Sequence, residues 1–277
     1  MTETTTRPTP RWRLTTFWVL LALLLFLHLG ERPEQLAFIL TAFGDLADGA
    51  GATHEIHFFA QGVFAWAILA AVAAQLRRPA AQVGAAWVYG AGTVLAFAMF
   101  LAFADLPAEV VPIVVGAIVI AAAAFVAHPS SWRARFAPVA APSRALLVLV
   151  ALAAVPLVIY AVGQLDVHAG SGPHDEHYEF GHWVVMAVYA LLAPLVGVIA
   201  AAKVPGWRFP LWVTGLMVAA LGVGSLGISA VSQLSTPWAL AAILWGATFI
   251  AVGQSESAPH EAAVPRRPAR LGAPRRG

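Results

Sequence analysis

The chain has 277 residues, 60% of them hydrophobic and only 11% charged, against about 45–50% apolar and about 25% charged in an ordinary soluble domain. Its 16 basic and 14 acidic residues cannot coat a globule of this length in water, which excludes a soluble single domain. The basic residues form no dense stripe able to track phosphates, so no nucleic acid is expected as a partner. The lack of cysteine removes disulfides, zinc ribbons and thiolate-held haem or iron–sulfur clusters.

A membrane-spanning helix needs about 20 mostly apolar residues. Eight stretches qualify, at 14–30, 54–76, 82–104, 109–127, 144–163, 178–202, 209–229 and 236–253. The first follows Arg11 and Arg13 as a secretory signal would. Its apolar run is long for such a signal, and no small-residue cleavage pattern precedes Glu31, so it reads as a retained span. The expected fold class is therefore an all-α polytopic membrane protein with eight transmembrane helices, its partner the lipid bilayer. It divides into a cytoplasmic N-terminal segment (1–13), a first four-helix half (14–128), a linker (129–143), a second half (144–253) and a disordered basic tail (254–277).

Lys and Arg accumulate in cytoplasmic loops. With both termini cytoplasmic, 15 of the 16 basic residues fall on that side and only Arg32 lies outside. Eleven of the 14 acids take the outer side, as do seven of the nine histidines: His28, His54, His57, His168, His174, His177 and His182. The plasma (inner) membrane is the expected location. The segment 31–53 is long enough for a short interfacial helix around residues 33–46, and the outer turns near 105–108 and 230–235 are short.

The halves superimpose at a constant offset of 125 residues from span two to span four. His57 then falls on His182, Trp87-Val88-x-Gly90 on Trp212-Val213-x-Gly215, and Pro112 on Pro237. Rare residue types matching without a gap point to a four-plus-four duplication. Each half starts on the cytoplasmic side, so the halves would be parallel about an axis along the membrane normal.

The candidate chemistry lies at the outer ends of two equivalent helices. Span two opens with His54-Glu55-Ile56-His57; span six opens around His174-Asp175-Glu176-His177-Tyr178-Glu179-Phe180-Gly181-His182, with Met186 a turn later. Residues three apart on a helix share a face, so His54 pairs with His57 and Glu179 with His182. These pairs are equivalent at the offset, and together would bring three imidazoles and a carboxylate to one point. Helix bundles build carboxylate-bridged metal sites from such i, i+3 Glu/His pairs. Glu176, one turn before Glu179, would add an oxygen or orient a histidine, with His177 and His174 as further candidate ligands. Glu55 lies about 200° around the helix from His57 and fits less well. Imidazole with carboxylate suits zinc, iron, manganese or Cu(II). Acids in a first helical turn also complement the helix dipole without any ligand, but ionisable groups entering a span are costly and tend to be functional.

The expected function is a membrane metalloprotein, with iron, copper or zinc at the outer face and redox or oxygen-linked chemistry on a lipophilic or periplasmic substrate. A metal-dependent hydrolase is its close variant. An alternative is a b-type haem protein using His57 and His182 as axial ligands. The eight-span, four-plus-four parallel layout resembles that of haem A synthases. That resemblance implies paired histidines on the second and fourth helix of each half, and spans four and eight here carry none suitably placed. Further alternatives are a metal-handling or assembly subunit of a larger membrane complex, working with other membrane subunits or a periplasmic redox partner, and an ion- or proton-coupled transporter. Transport is disfavoured because the middles of most spans lack ionisable groups. A retinal pigment is excluded, since the one lysine, Lys203, sits at the cytoplasmic end of span six.

Overall fold

A computed structural model describes residues 10–29, 51–76, 78–171, 176–179, 181–228 and 231–256, with side chains except at 28, 29, 51–55 and 176. These residues contain helices and no strand. In chain order they are α1 (Arg11–Leu29), α2 (Gly51–Gln75), a 3₁₀ turn (Pro79–Ala81), α3 (Val83–Phe103), α4 (Val111–Ala127) and the short α5 (Trp132–Phe136). There follow α6 (Arg144–Gly170), the one-turn α7 (Glu176–Glu179), α8 (His182–Ala201), α9 (Arg208–Gly227) and α10 (Thr236–Ser255).

Six helical stretches are long and apolar enough to cross a bilayer: Ile56–Gln75, Val83–Phe103, Arg144–Gly170, His182–Ala201, Arg208–Gly227 and Thr236–Ser255. α4 is apolar but shorter, and α1 is helical where the first span is expected. The chain is thus a multi-pass helical membrane protein. In hydrocarbon no water can satisfy backbone N–H and C=O groups, so a chain of this composition closes them within helices.

These helices are apolar all round, so hydrophobicity alone cannot say which face turns inward. Size does. On α4 the buried positions are Val114, Ala117, Ala121 and Ala124, whereas Ile113, Val115, Val119 and Val126 face outward. Small residues let backbones approach, and the larger chains meet lipid. The closest approach joins α9 to α10. A Cβ on Gly215 would lie 2.8 Å from the Gly246 carbonyl oxygen, and one on Gly246 would meet the Gly215 carbonyl closer still.

Contacts of the same kind, though not of the same closeness, occur among α1–α4 and among α6 and α8–α10. α1 touches α2 and α4, α2 touches α3, and α3 touches α4; likewise α6 touches α8 and α10, α8 touches α9, and α9 touches α10. Between the halves α2 meets α8, α3 meets α9, and the cross pairs α2·α9 and α3·α8 both form.

Polar side chains gather at the two ends of the bundle. At one end Arg135 donates to the carbonyls of Phe125, Val126 (2.8 Å), His128 (2.9 Å) and Ser130 (3.3 Å), and Arg13 reaches the His128 carbonyl at 2.8 Å. Two guanidinium groups therefore satisfy the carbonyls left open where α4 ends. At the same end Glu256 accepts from Ser143 Oγ at 2.7 Å and pairs with Lys203 Nζ at 2.7 Å, which ties the end of α10 to the start of α6.

Two expectations are corrected. The fifth apolar stretch, read as ending at 163, continues as helix to Gly170 and so carries Gln164 and His168. The sixth, read as one helix through 178–202, is broken into α7 and α8 at Gly181, which has left-handed φ of 62°. The proposed interfacial helix at 33–46 and the tail beyond 256 lie outside the described residues.

Candidate metal centre

The other end of the bundle is built around His57, near the start of α2. Its ring is fully buried. Nε2 lies 2.9 Å from Ser232 Oγ, and that hydroxyl donates onward to Gln164 Oε1 at 2.7 Å. An amide oxygen only accepts, and a serine has one proton, so Ser232 must accept from His57. The proton of His57 therefore sits on Nε2, and Nδ1 carries the lone pair. The turn that bears Ser232 is itself pinned: Tyr160 Oη donates to the Ser232 carbonyl at 2.7 Å, and Leu234 N donates to Ser225 Oγ at 3.0 Å.

Two further imidazoles converge on His57. His182 is 3% exposed, and its ring centroid lies 5.2 Å away. His177, half-buried on α7, lies 5.5 Å from His57 and 5.6 Å from His182. One ring nitrogen from each of the three falls within 4.8 Å of the others. A tetrahedral ion with metal–nitrogen bonds of about 2.0–2.1 Å would set such nitrogens about 3.4 Å apart. Small rotations of the three rings would close that gap.

Gly181 makes this convergence possible. Its positive φ turns the chain between α7 and α8, and the Phe100 ring lies 2.8 Å from where a Cβ would be. α7 is held from beneath by His168 of α6, whose ring stacks on Tyr178 at 4.5 Å and 8° and whose Nε2 donates to the Phe103 carbonyl at 2.8 Å. The break displaces the expected partner of His182. Across Gly181, positions 179 and 182 no longer share a helical face, and Glu179 is exposed and outside the group of converging ligands. His177 takes its place. The side chains of His54 and Glu176 and the whole of His174 lie outside the described residues, as does the side chain of His28.

Trp183 completes the immediate surroundings. It is 4% exposed; its ring meets His57 edge-on at 4.8 Å and stacks on His177 at 5.3 Å. Its Nε1–H is buried with no hydrogen-bond partner among the described residues, an expensive state for a donor. Sequence reasoning missed Ser232, Gln164 and Trp183 at this site. The available signal was a serine in a short turn and a glutamine in an apolar helix, each a polar group where none is needed.

Three imidazoles with one oriented by a hydrogen-bonded chain can hold a transition-metal ion, leaving a further coordination position for an outside ligand. The chain matches no protein-family model, no curated protein and no solved structure.

Proposed function

We propose that the protein is an integral membrane metalloprotein whose ion is held by His57, His177 and His182 at the outer face of the bilayer. The observation that carries this reading is the convergence of the three ring nitrogens within 4.8 Å. The Ser232–Gln164 chain adds weight, since metal-bound histidines are oriented through their other nitrogen. An all-imidazole set suits zinc, iron or Cu(II). Three protein ligands are the number found in catalytic sites, in which one position is left for substrate or water. The indole N–H of Trp183, without a partner among the described residues, would be available to an acceptor bound beside the His57 and His177 rings. We assign the site redox or oxygen-linked chemistry on a lipophilic or periplasmic substrate. When bound, the metal would supply a Lewis acid or electron-transfer centre.

The same reading places eight spans in a four-plus-four parallel repeat with both termini cytoplasmic. The matched pairing of α1–α4 with α6 and α8–α10 supports the repeat. The gathering of Arg13, Arg135 and Lys203 at the end opposite the histidines supports the orientation.

A haem held between His57 and His182 is the weaker reading. His177 packs within 5.6 Å of both rings, and Trp183 covers His57 edge-on. Together they crowd the space in which a porphyrin would lie.

The test is metal analysis and a visible spectrum of the detergent-purified protein. We expect one transition-metal ion per chain and no Soret band, with the ion lost in the His57→Ala, His182→Ala double variant. A folded, metal-free wild type, or a stoichiometric Soret band, would overturn the proposal.

A further inference from the structure

The two halves pair their helices alike but not with equal closeness. α1 lies along α4 and only brushes α2, whereas α6 lies along α8 and only brushes α10. The divergence of α6 from α10 leaves a cavity of about 430 Å³. Ala153, Leu157, Val218 and Leu221 form its buried floor, while Leu152 and Ile159 on its rim are exposed. It therefore opens sideways, at the middle of a helix read as spanning the bilayer.

The lining is apolar but for the Tyr160 hydroxyl and the indoles of Trp238 and Trp245. The one hydroxyl in it, on Tyr160, is donated to the Ser232 carbonyl, and the Trp245 indole is donated to the Leu149 carbonyl at 3.0 Å. Protein interiors do not leave spaces of this size empty when an apolar filler is at hand. At mid-membrane the filler at the mouth is hydrocarbon. The α6 surface around the mouth, with Val148, Leu152, Val155, Ile159 and Val162, is exposed and aliphatic, the kind of face that lipid chains meet.

Toward the histidine end the cavity is lined by Leu234 and Trp238. Leu234 belongs to the turn that holds Ser232, and Tyr160 joins the cavity wall to that turn. We infer that the cavity is the tail-binding subsite for a long-chain bilayer lipid. One hydrocarbon chain enters sideways between α6 and α10, and the head group is thereby presented at the rim of the histidine centre. The head-group part rests on the metal-centre reading; the tail site does not.

The experiment is photolabelling of the full-length protein in phospholipid nanodiscs with a diazirine-bearing stearic acid, followed by peptide mapping. Label should concentrate saturably on residues 152–160 and 238–245, above that on the lipid-facing Val115 and Val119 of α4. Competition by unlabelled stearic acid or by a long-chain polyprenol then tells a straight chain from an isoprenoid one. Ala242→Phe, which fills the cavity, should lower the saturable label about tenfold. Ala241→Phe serves as the second variant should the first fail to fold. Label spread evenly over all outward-facing helices, label undiminished in both folded variants, or label blocked by a second copy of the chain would each overturn the site. Metal content of the same samples separates the two readings. Cavity labelling in metal-free protein upholds the tail site and removes only the metal reading; metal without cavity labelling overturns the tail site alone.

Discussion

His57 and His128 stand at opposite ends of the bundle, both fully buried and both bonded to a serine hydroxyl. Their surroundings set them apart. Around His128 the protein closes every valence: Ser130 Oγ and N donate to Nδ1 at 2.7 and 3.3 Å, and Nε2 donates to Gln75 Oε1 at 3.2 Å. Arg13 and Arg135 donate to its carbonyl, so a cation would meet two positive charges. Around His57 the neighbours are two more imidazoles and an indole. Burial is therefore no guide to function in these two residues, whereas the charge and valence of the company they keep is. One end is closed by the protein's own groups, and the other brings together three imidazoles that could hold a metal ion.

The largest expected effect breaks the open end. His177→Ala removes one of three ligands and should weaken metal binding on the order of a thousandfold, about 4 kcal/mol, as read by competition with a chromogenic chelator. An unchanged affinity would remove His177 from the site.

Acid tests the closed end. Burial, then the charges of Arg135 and Arg13, lower the pKa of His128 to about 4. The neutral ring is the form that the fold holds, so its stabilisation is complete above the ordinary histidine value of about 6.5. It is lost as pH falls toward 4, at a total cost of about 3 kcal/mol. Unfolding by SDS titration in mixed micelles at pH 7 and at pH 4.5 should show this loss in the wild type and a smaller one in His128→Gln. Equal losses would place the acid sensitivity elsewhere.

Ser232→Ala leaves all three ligands in place but takes away the acceptor that fixes the His57 tautomer. Such a supporting hydrogen bond is worth about 10–100-fold in metal affinity, with thermal stability little changed. The smallest effect belongs to Glu179→Ala. An exposed carboxylate outside the cluster should alter metal affinity less than about twofold. A loss as large as that of His177→Ala would restore Glu179 as a ligand.

Much of the fold was legible because membrane helices are written in runs of apolar residues. The gathering of polar residues at the starts of spans two and six was equally plain, and the structure brings the His57 and His182 rings within 5.2 Å of each other. The pairing of Glu179 with His182 on one helical face fails because it counts helical periods across Gly181, where the helix is broken. A glycine followed by a histidine gave a local hint of a break, but only the folded backbone shows the left-handed φ of 62° there, with Phe100 filling the space a Cβ would need. Ser232 and Gln164 obey no periodic rule that links them to residue 57. They meet it because α6 runs seven residues beyond the expected end of its span and the α9–α10 turn folds over it, and both facts belong to tertiary packing.

The contact between Gly215 and Gly246 bears on this in mechanical terms. Helices whose backbones touch, with no side chain between them, have no soft layer in which to slide. α9 and α10 thus form a single rigid fork, and the turn at 231–235 is its bend. Ser232 sits on that bend as a fixed stop, and the angle of the His57 ring is registered against it.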